Sequence, residues 1–328
     1  MNHGNISIFV PHLGCPHRCS FCDQNTITKQ DDTPSYEEIS SAIEAAKSKC
    51  NYSAYDTQLA FFGGSFTAIE QNIMLNLLDI GYSFVKNGDI KSIRISTRPD
   101  YINEETLTIL KTHGVESIEL GAQSMDDEVL RLNNRGHNSR DVFKASKMIK
   151  NYGFELGLQM MTGLLGDNEE KSIYTAKKIA ECDPDTVRIY PTLCLKNTRL
   201  GYLYQKGEYA PQSLQDAIKL CTRLLEFFNN KNINVIRLGL HDVKKDRLLS
   251  GPWHPAFSEL CYNELYYNKI LSQLKRAGSY IIYVNDHCIS KATGQKRSNI
   301  TKLSNQGYTC KIIGDASLCE GEIRVINV

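Results

Sequence analysis

The chain has 328 residues, a hydrophobic fraction of 41%, and 38 lysines and arginines against 37 acidic residues, for a net charge of +1. That composition supports a sizeable core and excludes a disordered chain. It also excludes a surface uniformly basic for nucleic acid, while leaving a local basic patch open. Residues 1–10 lack the charged and long apolar regions of a signal peptide. No apolar run reaches the ~18 residues of a membrane span, and scattered cysteines suit a reducing compartment. A cytoplasmic protein with no membrane partner is the expectation.

In chain order, Ile6 to Pro11 reads as a short strand that runs into Gly14 to Gln24, G-C-P-H-R-C-S-F-C-D-Q. Cys15, Cys19 and Cys22 there form C-x-x-x-C-x-x-C, and Pro16 and Arg18 favour a loop. Thiolates hold iron–sulfur clusters, commonly four to a cluster. Three leave one iron open, as a catalytic metal site requires. A zinc ribbon would need a second C-x-x-C or histidines, and this chain has no second C-x-x-C. An odd count of eleven cysteines argues against a disulfide framework.

Ser35 to Glu38 is a capping box before a helix with Ile39, Ala42, Ile43 and Ala46 inward. Gln58 to Phe62 is the second strand, ending in Gly63-Gly64-Ser65-Phe66, and Asn72 to Val85 is helical. Ser92 to Thr97 is the third strand, stopped by Arg98-Pro99-Asp100, and Asn103 caps the next helix. Glu116 to Gly121 is the fourth strand, followed by Ala122-Gln123-Ser124 and a helix capped by Ser139. Glu155 to Thr162 and Thr186 to Leu193 are the fifth and sixth. Ser213 starts a helix with one apolar stripe from Leu214 to Phe228.

Six strand-then-helix units imply parallel strands with crossover helices. The expected fold is α/β, a partial (β/α)6 TIM-like barrel over residues 1–240, with its chemistry at the carboxyl ends of the strands. Asn234 to Leu238 reads as a further strand. Residues 241–328 read as a small C-terminal α+β appendage: a helix over Phe257 to Ala277, strands near Tyr280, Thr309 and Glu322, and a short helix near Ile300.

C-P-H-R-C-S-F-C, with Phe21 before the last cysteine, resembles the radical SAM signature. The ordered motifs from Ile6 to Leu240 are similar to the radical SAM core of the elongator catalytic subunit family, and more loosely to oxygen-independent coproporphyrinogen oxidase. The resemblance implies a 4Fe-4S cluster on Cys15, Cys19 and Cys22 and S-adenosylmethionine as cofactor. A one-electron reductant of flavodoxin or ferredoxin type would drive cleavage to a 5′-deoxyadenosyl radical, which takes hydrogen from substrate. It places Gly63, Gly64 and Ser65 at the methionine amino group, although Ser65 departs from the usual acidic residue or threonine. Ser96, Gln123 and Ser124 fall at the sugar or methionyl part, and Arg135 at the carboxylate, which suits its planar fork. Gln159 stands where coproporphyrinogen-oxidase relatives carry aspartate.

Arg188, Tyr190 and Lys196, in V-R-I-Y-P-T-L-C-L-K, resemble the elongator motif on the sixth strand. Alternate residues share a strand face, so Arg188 and Tyr190 can both point inward, for substrate contact or as a buried, satisfied tyrosine. Arg237 and His241 are candidates to close the mouth, whereas His254 beside Trp253 reads as packing. Lys291, Lys296, Arg297 and Lys302 fit either RNA phosphates or a solvated face.

The acetyltransferase domain and zinc linker of the elongator subunit have no counterpart here, so its modification of wobble uridine does not transfer directly. Three functions stay open: a radical enzyme acting on tRNA, one acting on a small molecule or peptide, and a non-catalytic iron–sulfur electron-transfer protein.

Overall fold

The structure, a computed structural model, describes residues 4–10, 15, 18–22, 33–240, 243 and 246–328. Gly14, Pro16, Asp23 and Gln24 of the cysteine loop, Pro11 at the end of the first strand, and His241 lie outside the described residues.

The strands are β1 (Gly4–Val10), β2 (Thr57–Gly63), β3 (Ser92–Thr97), β4 (Val115–Gln123), β5 (Glu155–Thr162), β6 (Thr186–Pro191), β7 (Cys194–Leu195), β8 (Asn234–Leu238), β9 (Leu248–Ser250), β10 (Gly278–Val284), β11 (Tyr308–Gly314) and β12 (Ile323–Asn327). The helices are α1 (Tyr36–Lys47), α2 (Gln71–Lys86), α3 (Glu104–Thr112), α4 (Asp127–Leu132), α5 (Ser139–Asn151), α6 (Glu169–Glu181), α7 (Arg199–Gln205), α8 (Leu214–Asn229), α9 (Phe257–Gln273), α10 (Ile289–Thr293) and α11 (Ser298–Ser304).

β1 to β6 and then β8 pair in that order, all parallel, as a partial barrel. The seventh strand is Asn234–Leu238, so the barrel carries one strand more than six repeating units. Parallel strands need crossovers, and helices supply them on the outer face. Ile39 and Ile43 of α1, Leu77 and Leu78 of α2, Leu107 and Leu110 of α3, and Leu224, Leu225 and Phe228 of α8 pack there against Leu59, Ile93, Ile118, Leu156 and Val187 of the sheet.

Several helix starts follow the sequence. Ser35 Oγ accepts from Glu38 N at 3.2 Å while Ser35 N donates to Glu38 Oε2 at 2.9 Å, closing the expected capping box. Asn103 caps α3 and Ser213 caps α8, as their positions imply. The cap of α5 falls one residue earlier than Ser139. Asn138 Oδ1 accepts from Arg140 N and Asp141 N, and Asp141 returns a bond to Asn138 N. An amide oxygen on Asn138 reaches both amides, so Ser139 becomes the first helical residue; such a cap contributes about 1 kcal/mol.

The C-terminal unit is a three-stranded sheet, ordered β11-β10-β12, with β11 parallel and β12 antiparallel to β10. Its core gathers Tyr280, Ile282, Val284, Cys288, Ala292 and Leu303. Helix α9 belongs to both cores: Phe257, Cys261 and Leu265 pack into the barrel core, and Tyr266, Tyr267 and Ile270 into the smaller one. No helix among the described residues is long and apolar enough to cross a membrane.

Candidate cofactor cradle at the barrel mouth

The cysteine loop is fastened to the carboxyl ends of the strands through Ser20. Its backbone N donates to Asn133 O at 3.1 Å, its hydroxyl donates to Asn133 Oδ1 at 2.5 Å, and its carbonyl accepts from Leu200 N at 2.8 Å. Asn133 is fully buried and also donates through Nδ2 to Val129 O and Leu165 O. One side chain thus joins the loop, α4 and the turn after β5. The sequence reading missed Asn133, which stands two residues before Arg135. Cys22 N donates to Cys19 O at 3.2 Å, bending the loop. Phe21 is half-buried against Val129, Met161, Leu164 and Tyr190, which anchors the loop to the ends of β5 and β6.

Cys19 is buried, and Cys15 and Cys22 are half-buried. Burial pushes the Cys15 thiol up, opposed by a hydrogen bond from the Ser65 backbone and by the Arg98 and Arg135 cations, while the neighbouring Cys19 adds to the rise. Arg135 Nη1 donates to Cys19 Sγ at 3.1 Å and Nη2 to Gly121 O at 2.7 Å; its Nε is buried with no partner among the described residues. Arg98 grips Asp100 through two bonds of 2.9 and 3.0 Å and donates to the Arg135 carbonyl, which fixes the backbone behind that guanidinium.

His137 donates through Nε2 to Ala122 O at 3.2 Å, because a carbonyl can only accept, and its buried Nδ1 has no partner among the described residues. Burial, helped by the Arg135 and Arg98 cations, pushes its pKa from 6.5 down to about 3. The unfolded chain therefore takes up this proton first as the pH falls. Stability from a neutral His137 is complete above pH 6.5 and is lost toward pH 3. In protein without its cluster, unfolding free energy from urea titrations should fall between about pH 6 and 4 more steeply for wild type than for His137→Asn, by up to about 1.4 kcal/mol per pH unit.

At the end of β2, Gly63 has φ +125°, and a Cβ there would lie 2.6 Å from both the Phe9 ring and the Val10 carbonyl oxygen. Only glycine fits, and it leaves the backbone of Gly63-Gly64 approachable. Ser65 is buried and committed within the fold: its hydroxyl pairs with Thr97 Oγ1 at 2.9 Å and accepts from Arg98 N at 3.2 Å. Gln123 ends β4 at a register shift with φ 66°, and Gln159 Nε2 of β5 donates to its Oε1 at 3.2 Å. The structure thus brings Gln123 and Gln159 together. Ser124 turns away, pairing with Thr175 Oγ1 of α6 at 3.2 Å and accepting from Asp126 N at 3.1 Å.

Below the mouth, the inner face carries a charged ladder that sequence reasoning did not single out. Glu119 of β4 accepts from Arg94 Nη1 of β3 at 3.0 Å, and from Arg188 Nε and Nη2 of β6 at 3.0 and 2.5 Å. Ser96 donates to its other oxygen at 3.4 Å, so Ser96 belongs to this ladder. Arg94 also donates to Gln58 Oε1 and to both oxygens of Glu155. Arg188 reaches Glu119 across β5 because Gly157 stands between them; a Cβ there would meet Glu119 Cγ at 2.9 Å. Arg188 Nη1 lies 3.4 Å from Tyr190 Oη, so the two share the inward face. The signal was the period-two polar pattern of S-I-R-I-S and S-I-E-L in strands whose alternate residues are apolar.

Lys196 is not with them. It lies exposed in the turn after β7, with its backbone N bonded to Arg247 O at 2.9 Å. Arg237 is half-buried and donates to Gly239 O at 3.3 Å. His254 works as a cap: its Nδ1 accepts from Ala256 N at 3.0 Å and its carbonyl from Phe257 N, starting α9.

Among the described residues, no three His, Cys, Asp or Glu side chains close round a single metal ion. A multi-iron cluster spreads its thiolates round an inorganic core, so its ligands need not converge on one point. Thiolate donors on one loop, an arginine on one of the sulfurs and an orphaned guanidinium nitrogen beside a glycine-lined strand end fit such a group. Fold and site together define an α/β partial-barrel protein with a cysteine-bearing candidate cradle for a cofactor at its carboxyl end. The chain belongs to the radical SAM superfamily, whose family model matches residues 9–179, followed by the radical SAM C-terminal domain over residues 184–267. It is a radical SAM enzyme, and the cofactors of that family are a 4Fe-4S cluster and S-adenosylmethionine.

An uncharacterized protein of Methanocaldococcus jannaschii is 28% identical over 277 residues, 83% of this chain and 80% of that one. A tRNA uridine(34) acetyltransferase of Dehalococcoides mccartyi is 27% identical over 246 residues, 63% of this chain and 52% of the relative. Human Elongator complex protein 3 is 34% identical over 136 residues, 40% of this chain and 25% of the relative. The chain thus spans about half or less of these two relatives. The archaeal Methanocaldococcus infernus Elp3 structure superposes with a TM-score of 0.64 at 22% identity, covering 84% of this chain and 65% of that one. At that identity the likeness is one of fold.

Proposed function

We propose that this enzyme modifies tRNA by hydrogen abstraction, with its cluster on Cys15, Cys19 and Cys22. When bound, the cluster and S-adenosylmethionine supply a 5′-deoxyadenosyl radical, the species that takes the hydrogen atom. The chain's part is to hold and orient. Arg135 would hold Cys19 Sγ through its Nη1–H, and its guanidinium, beside Gly121 of β4, is the cation placed to meet the methionyl carboxylate. The Gly63-Gly64 backbone offers polar groups to the amino group, and the Gln123–Gln159 pair offers amide hydrogens to the ribose. Tyr190 and Arg188, on the inward face, would meet the substrate and hold its reacting carbon in place while the barrel wall limits water.

The observation that carries the cofactor reading is the Arg135 guanidinium, bonded to a loop cysteine and with one buried donor unmatched among the described residues. Support for RNA as substrate comes from the sequence likeness to proteins named tRNA uridine(34) acetyltransferase, one spanning 63% of this chain. The test is anaerobic reconstitution with iron and sulfide, then assay for 5′-deoxyadenosine with and without bulk tRNA. Expected are bound iron, reductant-dependent 5′-deoxyadenosine and a rise in its yield on adding tRNA. Iron-free protein overturns the cluster assignment, and a yield indifferent to tRNA but raised by a metabolite or peptide extract overturns the RNA substrate.

A further inference from the structure

Lys291, Lys296, Arg297 and Lys302 stand close in sequence, but the fold divides them. Lys291 Nζ lies 3.5 Å from Glu320 Oε2 and 5.0 Å over the Tyr262 ring. Lys302 Nζ lies 2.9 Å from Glu264 Oε2 and 4.9 Å over the Tyr267 ring. Both are occupied within the fold. Lys296 and Arg297 are exposed, and among the described residues neither forms an ion pair.

The backbone holds these two cations in an unusual way. Lys296 has φ 52°, ψ 33° and Arg297 has φ 63°, ψ 25°, two successive left-handed residues with side chains. A side chain in the left-handed region brings its Cβ close to the following carbonyl oxygen, so both residues are disfavoured there relative to the right-handed region. The buried Asn299 holds the segment: its Nδ2 donates to Asn263 O at 2.8 Å and Ala292 O at 3.1 Å, while Arg297 N donates to Gly294 O at 2.8 Å. A hydrophilic turn between two short helices has many unstrained solutions. This one holds adjacent cations against the edge of a cleft.

That cleft has a volume of about 630 Å³ and is lined by Glu259, Asp286, Ser290 and Gln295 as well as the two cations. The size suits a ligand of nucleotide dimensions. Its lining is mixed: two cations that form no ion pair among the described residues, two carboxylates, a hydroxyl and an amide. A bare anion would meet Glu259 and Asp286 unfavourably, whereas a nucleotide presents a phosphate at one end and hydroxyl and amine donors at the other. Guanidinium and ammonium groups position phosphates, and carboxylates accept from base amines and ribose hydroxyls.

The cleft also lies on the carboxyl-end side of the barrel. Helix α9 starts at Phe257, which packs against Gly239 just past the end of β8, where a Cβ would meet the Phe257 ring at 2.9 Å. Asn263, which meets Asn299 beneath the turn, is six residues further along, or about 9 Å at 1.5 Å per residue. Glu259, on the cleft's lining, stands two residues past Phe257 in α9, so the cleft borders the same helix start that meets the end of β8.

We propose that the turn Gly294 to Arg297 and its cleft dock one nucleotide of an RNA strand that runs on to the barrel mouth. The phosphate sits on Lys296 and Arg297, and a ribose hydroxyl or base amine sits on Glu259 and Asp286. The assignment rests on the RNA reading above and adds to it the place where the strand is held.

The test measures binding of bulk tRNA to the full chain by fluorescence anisotropy across a salt series. For K296Q/R297Q, the slope of log affinity against log salt should fall by about one to two, and affinity should weaken about tenfold at low salt. K296R/R297K should bind as wild type does. Thermal melting guards against misfolding, and neither side chain has an ion-pair partner among the described residues to lose. If wild type binds tRNA and K296Q/R297Q binds it equally, the docking site is overturned while the RNA reading stands. If wild type binds none at any salt, the RNA reading falls and the docking site with it.

Discussion

Serine at Cys19 should leave anaerobically reconstituted protein with almost no iron and no measurable 5′-deoxyadenosine, while its thermal melt stays close to wild type. The change replaces one chalcogen by another in a buried position, so packing hardly alters. What is lost is the soft thiolate that iron–sulfur clusters require. Cys19 also lies outside the hydrophobic clusters of the barrel and the C-terminal unit, which keeps the stability cost small. Iron analysis, the visible absorption band and a melting curve on the same sample separate loss of metal from loss of fold. Wild-type iron content in Cys19→Ser would remove Cys19 from the ligand set.

Alanine at Glu119 should have the largest effect on stability of any single change in the barrel lumen. Glu119 accepts from Arg94 and Arg188 deep in the barrel. Removing one partner of a buried ion pair typically costs about 3–5 kcal/mol, because the remaining charge is left desolvated. The loss falls unevenly. Arg94 keeps Gln58 and Glu155, whereas among the described residues Arg188 keeps only the 3.4 Å contact with the Tyr190 hydroxyl. E119A/R188M should therefore recover much of the loss, since replacing a buried pair by apolar residues is often near neutral. Urea denaturation of wild type, both single variants and the double variant gives the coupling directly. A cost below about 1 kcal/mol for E119A would mean that solvent screens the ladder as it does a surface pair.

The outer layer of the fold was legible because it follows simple periods. The apolar stripe of α8 and the Ser35 and Asn103 caps need only a few residues of context, so Ser213, Ser35 and Asn103 fall where their neighbours imply. Asn138 outcompeted Ser139 for the α5 cap, a choice between adjacent polar residues that geometry decides. β7 and β9 have two and three residues, too few for any period to register. The inner face was legible in part. Arg188 and Tyr190 follow from strand alternation, but Glu119 and Arg94 gain meaning only when β3, β4 and β6 are brought together. Asn133 is harder still: its contact with Ser20 spans 113 positions of sequence, and a lone asparagine next to another gives no local hint. Ser124 and Lys196 show the converse, residues within suggestive motifs whose side chains the fold directs elsewhere.

Because α9 lends one end to each hydrophobic core, neither can lose its order without stripping apolar surface from the other. The small sheet is therefore coupled to the β8 edge as a lever is to its fulcrum. Asn299 ties the Lys296–Arg297 turn to that same helix through Asn263, so the turn, the small sheet and the seventh strand rest on one support.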